Sequence, residues 1–206
     1  MSFECNCPEP NSLTPIETEN CRVDLKQVQR YAFQRDGYQF NASGTTPNPI
    51  LDLSSWQAFM TATDNSTIVV TPLIGADPVI EAGDKIATGG GDNSTLNGVE
   101  ELEGVNPSNA SCMFKSLSSK VEAQIKKLMC EKSLTVYLFL QGGKIACTKV
   151  SADVAKGLIC QSVFLSDRNN AGYGTRDTFK FSFAMPAAWS ENLEIYSPTF
   201  NPLTQL

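Results

Sequence analysis

From residue 134 onward the apolar positions fall into short runs separated by turn residues. LTVYLFL (134–140) is apolar and β-rich almost throughout, which marks a buried strand. Gly142-Gly143 supplies a two-residue hairpin turn, and KIACTKV (144–150) returns as its partner. A polar link, SADVAKG, leads to a further strand, LICQSVFL (158–165). Phe179, Phe181 and Phe183 alternate with Lys180, Ser182 and Ala184, so this segment is a strand with one face buried and one open. Pro186 ends it.

The pattern is more mixed before that point. VDLKQVQRYAF (23–33) fits a strand or a short helix, and Asp36-Gly37 follows as a turn. ASGTTPNPILDL (42–53) reads as a loop, after which Asp52 or Ser54 caps a short helix with Trp56, Phe59 and Met60 on one face. STIVVTPLI (66–74) is a strand placed at an edge or a strand end by Pro72. PVIEAGDKIA (78–87) is a strand pair bent at Gly83-Asp84. The clearest helix runs near 117–131. Ser119 and Glu122 have capping-box spacing, and Leu117, Val121, Ile125 and Leu128 share a face. Lys126, Lys127 and Lys132 sit toward its C-terminal end, where positive charge suits the helix dipole.

Three segments lack such periodicity. Residues 1–24 are rich in Pro, Asn, Thr and Glu and read as an extended arm. TGGGDNSTLNGVEELEGVNPSN (88–109) reads as a long flexible loop with Gly89, Gly90, Gly91, Asn97 and Gly98 in it. It lacks the Gly-Lys-Ser/Thr of a phosphate loop, and Asp92, Glu100, Glu101 and Glu103 lack the alternation of an EF-hand. Residues 191–206 form a tail extended by prolines, on which Tyr196, Phe200, Leu203 and Leu206 are suited to docking on something else. The resulting plan is an arm (1–24), a single β-rich domain (25–190) and a C-terminal tail (191–206). The fold class is mainly β, a β-sandwich or small β-barrel with one packed helix.

Composition narrows the chemistry. The chain has 206 residues and no histidine, which removes the usual general base, the commonest metal ligand and every Ser-His-Asp or Cys-His arrangement. Its net charge of -6 disfavours general binding to phosphate backbones. Nothing at the start resembles a secretory signal and no apolar stretch spans a bilayer, so the expectation is a soluble protein without a membrane anchor. The cysteines number seven. Cys112, Cys130, Cys147 and Cys160 lie in helix- or strand-like segments and read as small apolar residues. Cys5, Cys7 and Cys21 lack paired zinc spacing, and a disulfide or a packing element suits them better. No cofactor or metal site is expected. A carboxylate enzyme of the glycosidase type would draw on acids such as Asp167 and Asp177, which nothing in the sequence brings together. A receptor- or carbohydrate-binding fibre or adhesin β-sandwich is a second alternative, using Trp56, Tyr173 and Trp189.

A β-rich domain with an arm, a glycine-rich segment and an apolar tail has edges and ends that identical neighbours can complete. That favours a non-enzymatic, self-assembling subunit, with Cys5, Cys7, Cys21, Gly89, Gly90, Gly91, Asn97, Gly98, Tyr196, Phe200 and Leu206 as assembly residues.

The opening C-N-C-P-E-P…Cys21-R-V-D-L-K-Q-V-Q-R-Y-A-F resembles that of virion structural proteins of Bacteroidetes-infecting phages, including the crAss-like phages. The G-D-K-I-A…N-G-V segment and the closing A-M-P-x-x-W-S-x-N-L are similar in layout to tail-tube-like proteins. The resemblance implies a subunit of a tail tube, tail hub or connector ring, located in the virion and assembled in the host cytoplasm. Its partners would be identical subunits and other tail or portal-region proteins, with DNA passing an acidic lumen without specific binding.

Overall fold

A computed structural model describes Leu25 and residues 27–42, 49–91 and 94–206. The chain runs β1 (Val28–Arg35), β2 (Phe40–Asn41), α1 (Leu53–Thr61), β3 (Ile68–Val70), β4 (Ala76–Glu81), β5 (Lys85–Thr88), β6 (Glu101–Val105) and β7 (Ser108–Lys115). It continues α2 (Ser119–Lys127), β8 (Leu134–Leu140), β9 (Lys144–Ser151), β10 (Val154–Lys156), β11 (Leu158–Leu165), β12 (Thr178–Met185), β13 (Leu193–Tyr196) and α3 (Pro202–Gln205). The mainly β reading holds. Within the 23–33 segment the described residues from Val28 on form a strand, and the 151–157 link contains a three-residue strand too short for any periodicity.

β8 organises the molecule. It pairs along its length with β1, while its other edge is shared by β11 at Leu134–Val136 and β9 at Leu138–Leu140. Every residue of β8 is buried. Leu134, Val136, Leu138 and Leu140 enter one core, and Tyr137 and Phe139 enter another on the opposite face. This follows from the two-residue side-chain period of a strand covered on both faces. Thr135, the polar member of the run, donates its hydroxyl hydrogen to the Gln34 carbonyl at 3.2 Å.

The sheet then turns back on itself. β11 pairs with β8 through Leu158–Cys160 and with β12 through Gln161–Leu165, the latter with a register shift between Gln161 and Phe164. Ser162 lies in the shifted stretch at φ 53°, a bulge that re-aims the strand. Gly157 marks the entry to this crossing. A β-carbon there would lie 2.7 Å from the Thr135 β-carbon, so only glycine lets the two backbones approach. β12 pairs with β7 and β7 with β4. Between β3 and β4 the chain closes the circuit: Ile74 N–H donates to Gln29 of β1 and Gly75 N–H to Met113 of β7. The product is a small closed barrel.

The barrel interior is aromatic. Tyr31 and Phe33 of β1 meet Phe181 and Phe183 of β12, with the Tyr31–Phe183 pair edge-on at 5.3 Å. α2 packs Ile125 on this interior, with Leu117 before it and Leu128 after it, on the face that the helical spacing predicts. Its N-cap is Ser118, whose hydroxyl accepts from Val121 N–H, one residue before the serine that the capping-box spacing selects.

The second core lies outside β8 and β9. Phe40 stacks on Trp56 at 4.5 Å, and the Trp56 ring meets Tyr137 and Phe139 edge-on. Its indole N–H donates to the Ile50 carbonyl at 2.9 Å. Trp56 is therefore core, which corrects its reading as a surface aromatic.

The expectation of an extended, undocked C-terminal tail is also corrected. β13 pairs with β9, and Phe200, Leu203 and Leu206 pack on the second core. Thr199 N–H donates to Leu51, and the Arg30 guanidinium donates to the Leu206 carbonyl at 2.7 Å. The physical reason is the odd face of β8: its aromatic side chains need a cover, and this segment supplies one.

Candidate interaction surfaces

The 88–109 segment is not loop throughout: Thr88 ends β5 and Glu101–Val105 form β6. β5 and β6 pair with each other as a separate two-stranded sheet, and Ser108 already begins β7. At the neck, Asn106 N–H donates to the Asp84 carbonyl at 2.9 Å. Gly83 is fixed there because a β-carbon would fall 1.8 Å from the Asn106 carbonyl oxygen.

The tip is where Gly89, Gly90, Gly91, Asn97 and Gly98 come together. The N–H groups of Gly90 and Gly91 both donate to the Gly98 carbonyl, at 3.2 and 3.1 Å. The three glycines take positive φ, and Asn97 sits at φ 61° in the tight turn Leu96–Gly98. Glycine and asparagine tolerate that region best, which is why they stand at these positions.

The flanks of this hairpin hold residues that the sequence reading missed. Leu96 is 81% exposed, Val99 59%, Leu102 49% and Ile86 43%. An isolated two-stranded hairpin has little stability of its own and no core in which to bury these side chains. Charge is one-sided here as well. Lys85 is paired with Glu100 and Glu103 accepts from Thr88, while Glu101 makes no ion pair among the described residues. The missed signal was the spacing of Ile86 and Leu102 in flanking four- to five-residue segments, masked by the glycines between them.

The other sites named from sequence lie elsewhere. Cys5, Cys7 and Cys21 fall outside the described residues, as does Asp92. Tyr196 is buried in β13 on the second core, remote in role from the hairpin tip. Its hydroxyl is the one buried side-chain polar atom without a hydrogen-bond partner among the described residues, and burial pushes its phenol pKa up. Tyr196→Phe is therefore expected to be neutral or to stabilise by up to about 1 kcal/mol, because an unsatisfied hydroxyl is removed from the interior. A urea titration showing a loss above that would indicate a partner for the hydroxyl.

Asp167 and Asp177 belong to an ion-pair network rather than a catalytic pair. Lys126 binds Glu122 at 2.9 Å and Asp167 at 2.6 Å. Arg168 binds Asp177 at 2.9 Å, donates to the Leu117 carbonyl and lies 5.2 Å over the Phe179 ring. The hydrogen bond from Lys126 holds the Asp167 carboxyl below the usual range, opposite to the raised pKa a general acid needs. The network fixes the base of the 166–177 loop to α2. The loop's tip carries Tyr173, fully exposed between Gly172 and Gly174. Trp189 is half-buried and donates to the Ser108 hydroxyl at 3.1 Å.

Among the described cysteines, Cys112, Cys147 and Cys160 are buried and Cys130 is exposed, which corrects its reading as a packed residue. Burial pushes the Cys112 and Cys160 thiols up to about 12. Of these four, only Cys130 is expected to alkylate at pH 8 within minutes in the native protein, since the thiolate is the reactive form. Peptide mapping after iodoacetamide checks this. Equal modification of Cys112 would contradict the closed barrel.

The chain matches no protein-family profile and no curated protein. Among solved structures, a chain in the virion of a native gene transfer agent particle aligns at 10% identity over 61% of this chain and 88% of that chain, with a TM-score of 0.36. A chain in the tail of an empty gene transfer agent particle of C6 symmetry aligns at 10% identity over 61% and 85%, with a TM-score of 0.33. Neither score reaches that of a common fold. Among the described residues no helix is long and apolar enough to cross a membrane.

Proposed function

We propose that this chain is a structural, non-catalytic subunit of a bacteriophage virion that self-associates through its β5–β6 hairpin into a ring or tube, as a tail tube, tail hub or connector ring. The observation that carries the reading is the hairpin itself. It carries Ile86 and Leu102 on its two strands and Leu96 and Val99 in the turn between them, all four exposed to water at 43% or more. Such an element gains its burial from a neighbour, and identical copies are the simplest source. The lack of histidine and the neutralised state of Asp167 and Asp177 fit a role without catalysis. The resemblance of the N-terminal arm to phage virion proteins supports the setting. In that setting, identical subunits and other tail or portal-region proteins are the partners, and a net charge of -6 suits a lumen that lets DNA pass without capture.

The test is the oligomeric state of the full chain. Sedimentation velocity and negative-stain microscopy are expected to show concentration-dependent rings or stacks. Val99→Asp with Leu102→Asp should abolish them while shifting the thermal midpoint by less than about 2 °C, since neither side chain supports the barrel. A monomer at every concentration, unchanged by the substitutions, would overturn the reading. The exposed Gly172–Tyr173–Gly174 tip favours a second reading, a receptor- or carbohydrate-binding fibre domain. That reading requires glycan or receptor binding that Tyr173→Ala removes, without ring formation.

A further inference from the structure

The C-terminal segment is joined to the barrel by a short, strained bridge. β12 ends at Met185 and β13 begins at Leu193. Residues 186–192 between them fold into two successive turns. Glu191 N–H donates to the Ala188 carbonyl and Leu193 N–H to the Ser190 carbonyl, each at 3.2 Å. Ala188 is held at φ 63° in the first of these. The β-carbon crowds the backbone in that region, so an alanine occupies it only under constraint, where glycine does so freely. Straightening the bridge releases that strain.

What the bridge holds in place is a separable cover. β13 pairs with β9 alone, and its other edge meets no described strand. Beyond it, Phe200, Leu203 and Leu206 lie on the second core, Thr199 bonds to Leu51, and Arg30 bonds to the Leu206 carbonyl. β12, by contrast, is laddered on both edges, to β11 and β7. The segment therefore leaves without breaking any ladder but its own. The surface it uncovers is specified in detail: the β9 register from Ile145 to Thr148, and Lys149, which pairs with Glu194 at 2.8 Å. An identical segment from another copy restores every one of these contacts.

We propose that residues 193–206 exchange between copies, each segment covering the second core of a neighbouring subunit while the bridge 186–192 runs extended. This rests on the reading that the chain self-associates, and it adds a contact separate from the hairpin. The closed and exchanged forms share the same interface, so the balance lies in the bridge. Strain at Ala188 favours exchange, and the lost freedom of a separate subunit opposes it, which confines exchange to the concentrated, assembling state. Passed from each copy to the next, the segment links subunits into a ring or a filament.

The experiment uses Glu194→Cys in the full chain, because Glu194 and Cys147 are register partners across β13 and β9. Isotopically heavy and light copies are mixed in urea, refolded together at assembling concentration and oxidised with oxygen and a copper catalyst. Peptide mapping is expected to find position 194 joined to Cys147 in heavy–light pairs. In the Cys147-unmodified chain, Ala188→Gly should lower the oligomeric fraction about tenfold in sedimentation velocity, because it removes the strain from the closed bridge. Ala188→Pro should raise it by a similar factor, since proline cannot take positive φ. Indistinguishable sedimentation of these two variants overturns the exchange without reference to the disulfide. If the disulfide forms only within single chains, in oligomers that Val99→Asp with Leu102→Asp abolishes, exchange is overturned and hairpin-mediated assembly stands. If heavy–light disulfides persist in that hairpin variant, exchange stands and the hairpin is overturned as the contact. A protein that stays monomeric, with every disulfide inside one chain, overturns both.

Discussion

Phe181→Ala is expected to lower stability by about 3–5 kcal/mol and the thermal midpoint by roughly 10 °C. Phe181 is 1% exposed on β12, and its ring meets Phe114 at 5.3 Å and Tyr31 and Phe33 at 5.9 Å each. Phe114 lies on β7, the strand paired with β12, and Tyr31 and Phe33 lie on β1, which β12 does not pair with, so Phe181 joins two separate parts of the sheet. Antiparallel ladders run unbroken through Arg30–Arg35 of β1 and along β12, and the site cannot collapse around the void without breaking register. Phe164→Ala is the internal control. Phe164 lies on β11 but points outward at 48% exposure, so the same change there should cost less than about 1 kcal/mol. Urea titrations of the two variants give the comparison. Equal losses would mean that the barrel interior is not the dominant core.

The parts of this fold that are legible in the sequence are those whose burial is decided by neighbours one helical turn or one strand pair away. LTVYLFL, the alternating Phe179–Phe181–Phe183 and the Leu117–Val121–Ile125–Leu128 face carry their own period, and each packs as that period requires. Near misses come from local near-degeneracy. Ser118 caps α2 because two serines adjoin, and only the backbone decides which one turns inward. The failures are of another kind. Tyr196, Phe200 and Leu206 look unburied because the surface that buries them is assembled from residues as distant as Ile50, Trp56, Tyr137 and Phe139. No window along the chain contains that surface.

The candidate site shows the same division. Gly89, Gly90, Gly91, Asn97 and Gly98, read from the sequence as assembly residues within a flexible loop, take left-handed backbone around one turn. Their arrangement as a hairpin was hidden, because four- to five-residue strands separated by a long turn carry too few alternations to be read. The exposed Val99 and Leu102 therefore read as ordinary loop residues, and Ile86 as the end of the 78–87 strand pair.

Trp56→Ala should cost about 3–5 kcal/mol as well, but the damage should be distributed differently. Trp56 is fully buried, stacks on Phe40 and closes over Tyr137 and Phe139 from the outside of the barrel. Its indole also holds the Ile50 carbonyl, and the adjoining Leu51 carbonyl is the acceptor for Thr199 N–H. Removing the ring thus loosens α1 and the C-terminal segment together, since each covers the other's contact with β8. Hydrogen exchange separates this from global unfolding. The amides of Thr199 and of β13 should lose protection at least tenfold more than those of β7 and β12, whose ladders line the aromatic interior on the far side. Uniform loss across all four would show that the two cores unfold as one unit. A Trp56→Phe variant, which keeps the stacking partner of Phe40 but not the N–H donor, should recover more than half of the stability and restore Thr199 protection. That outcome follows if packing rather than the single hydrogen bond to Ile50 fixes the C-terminal segment.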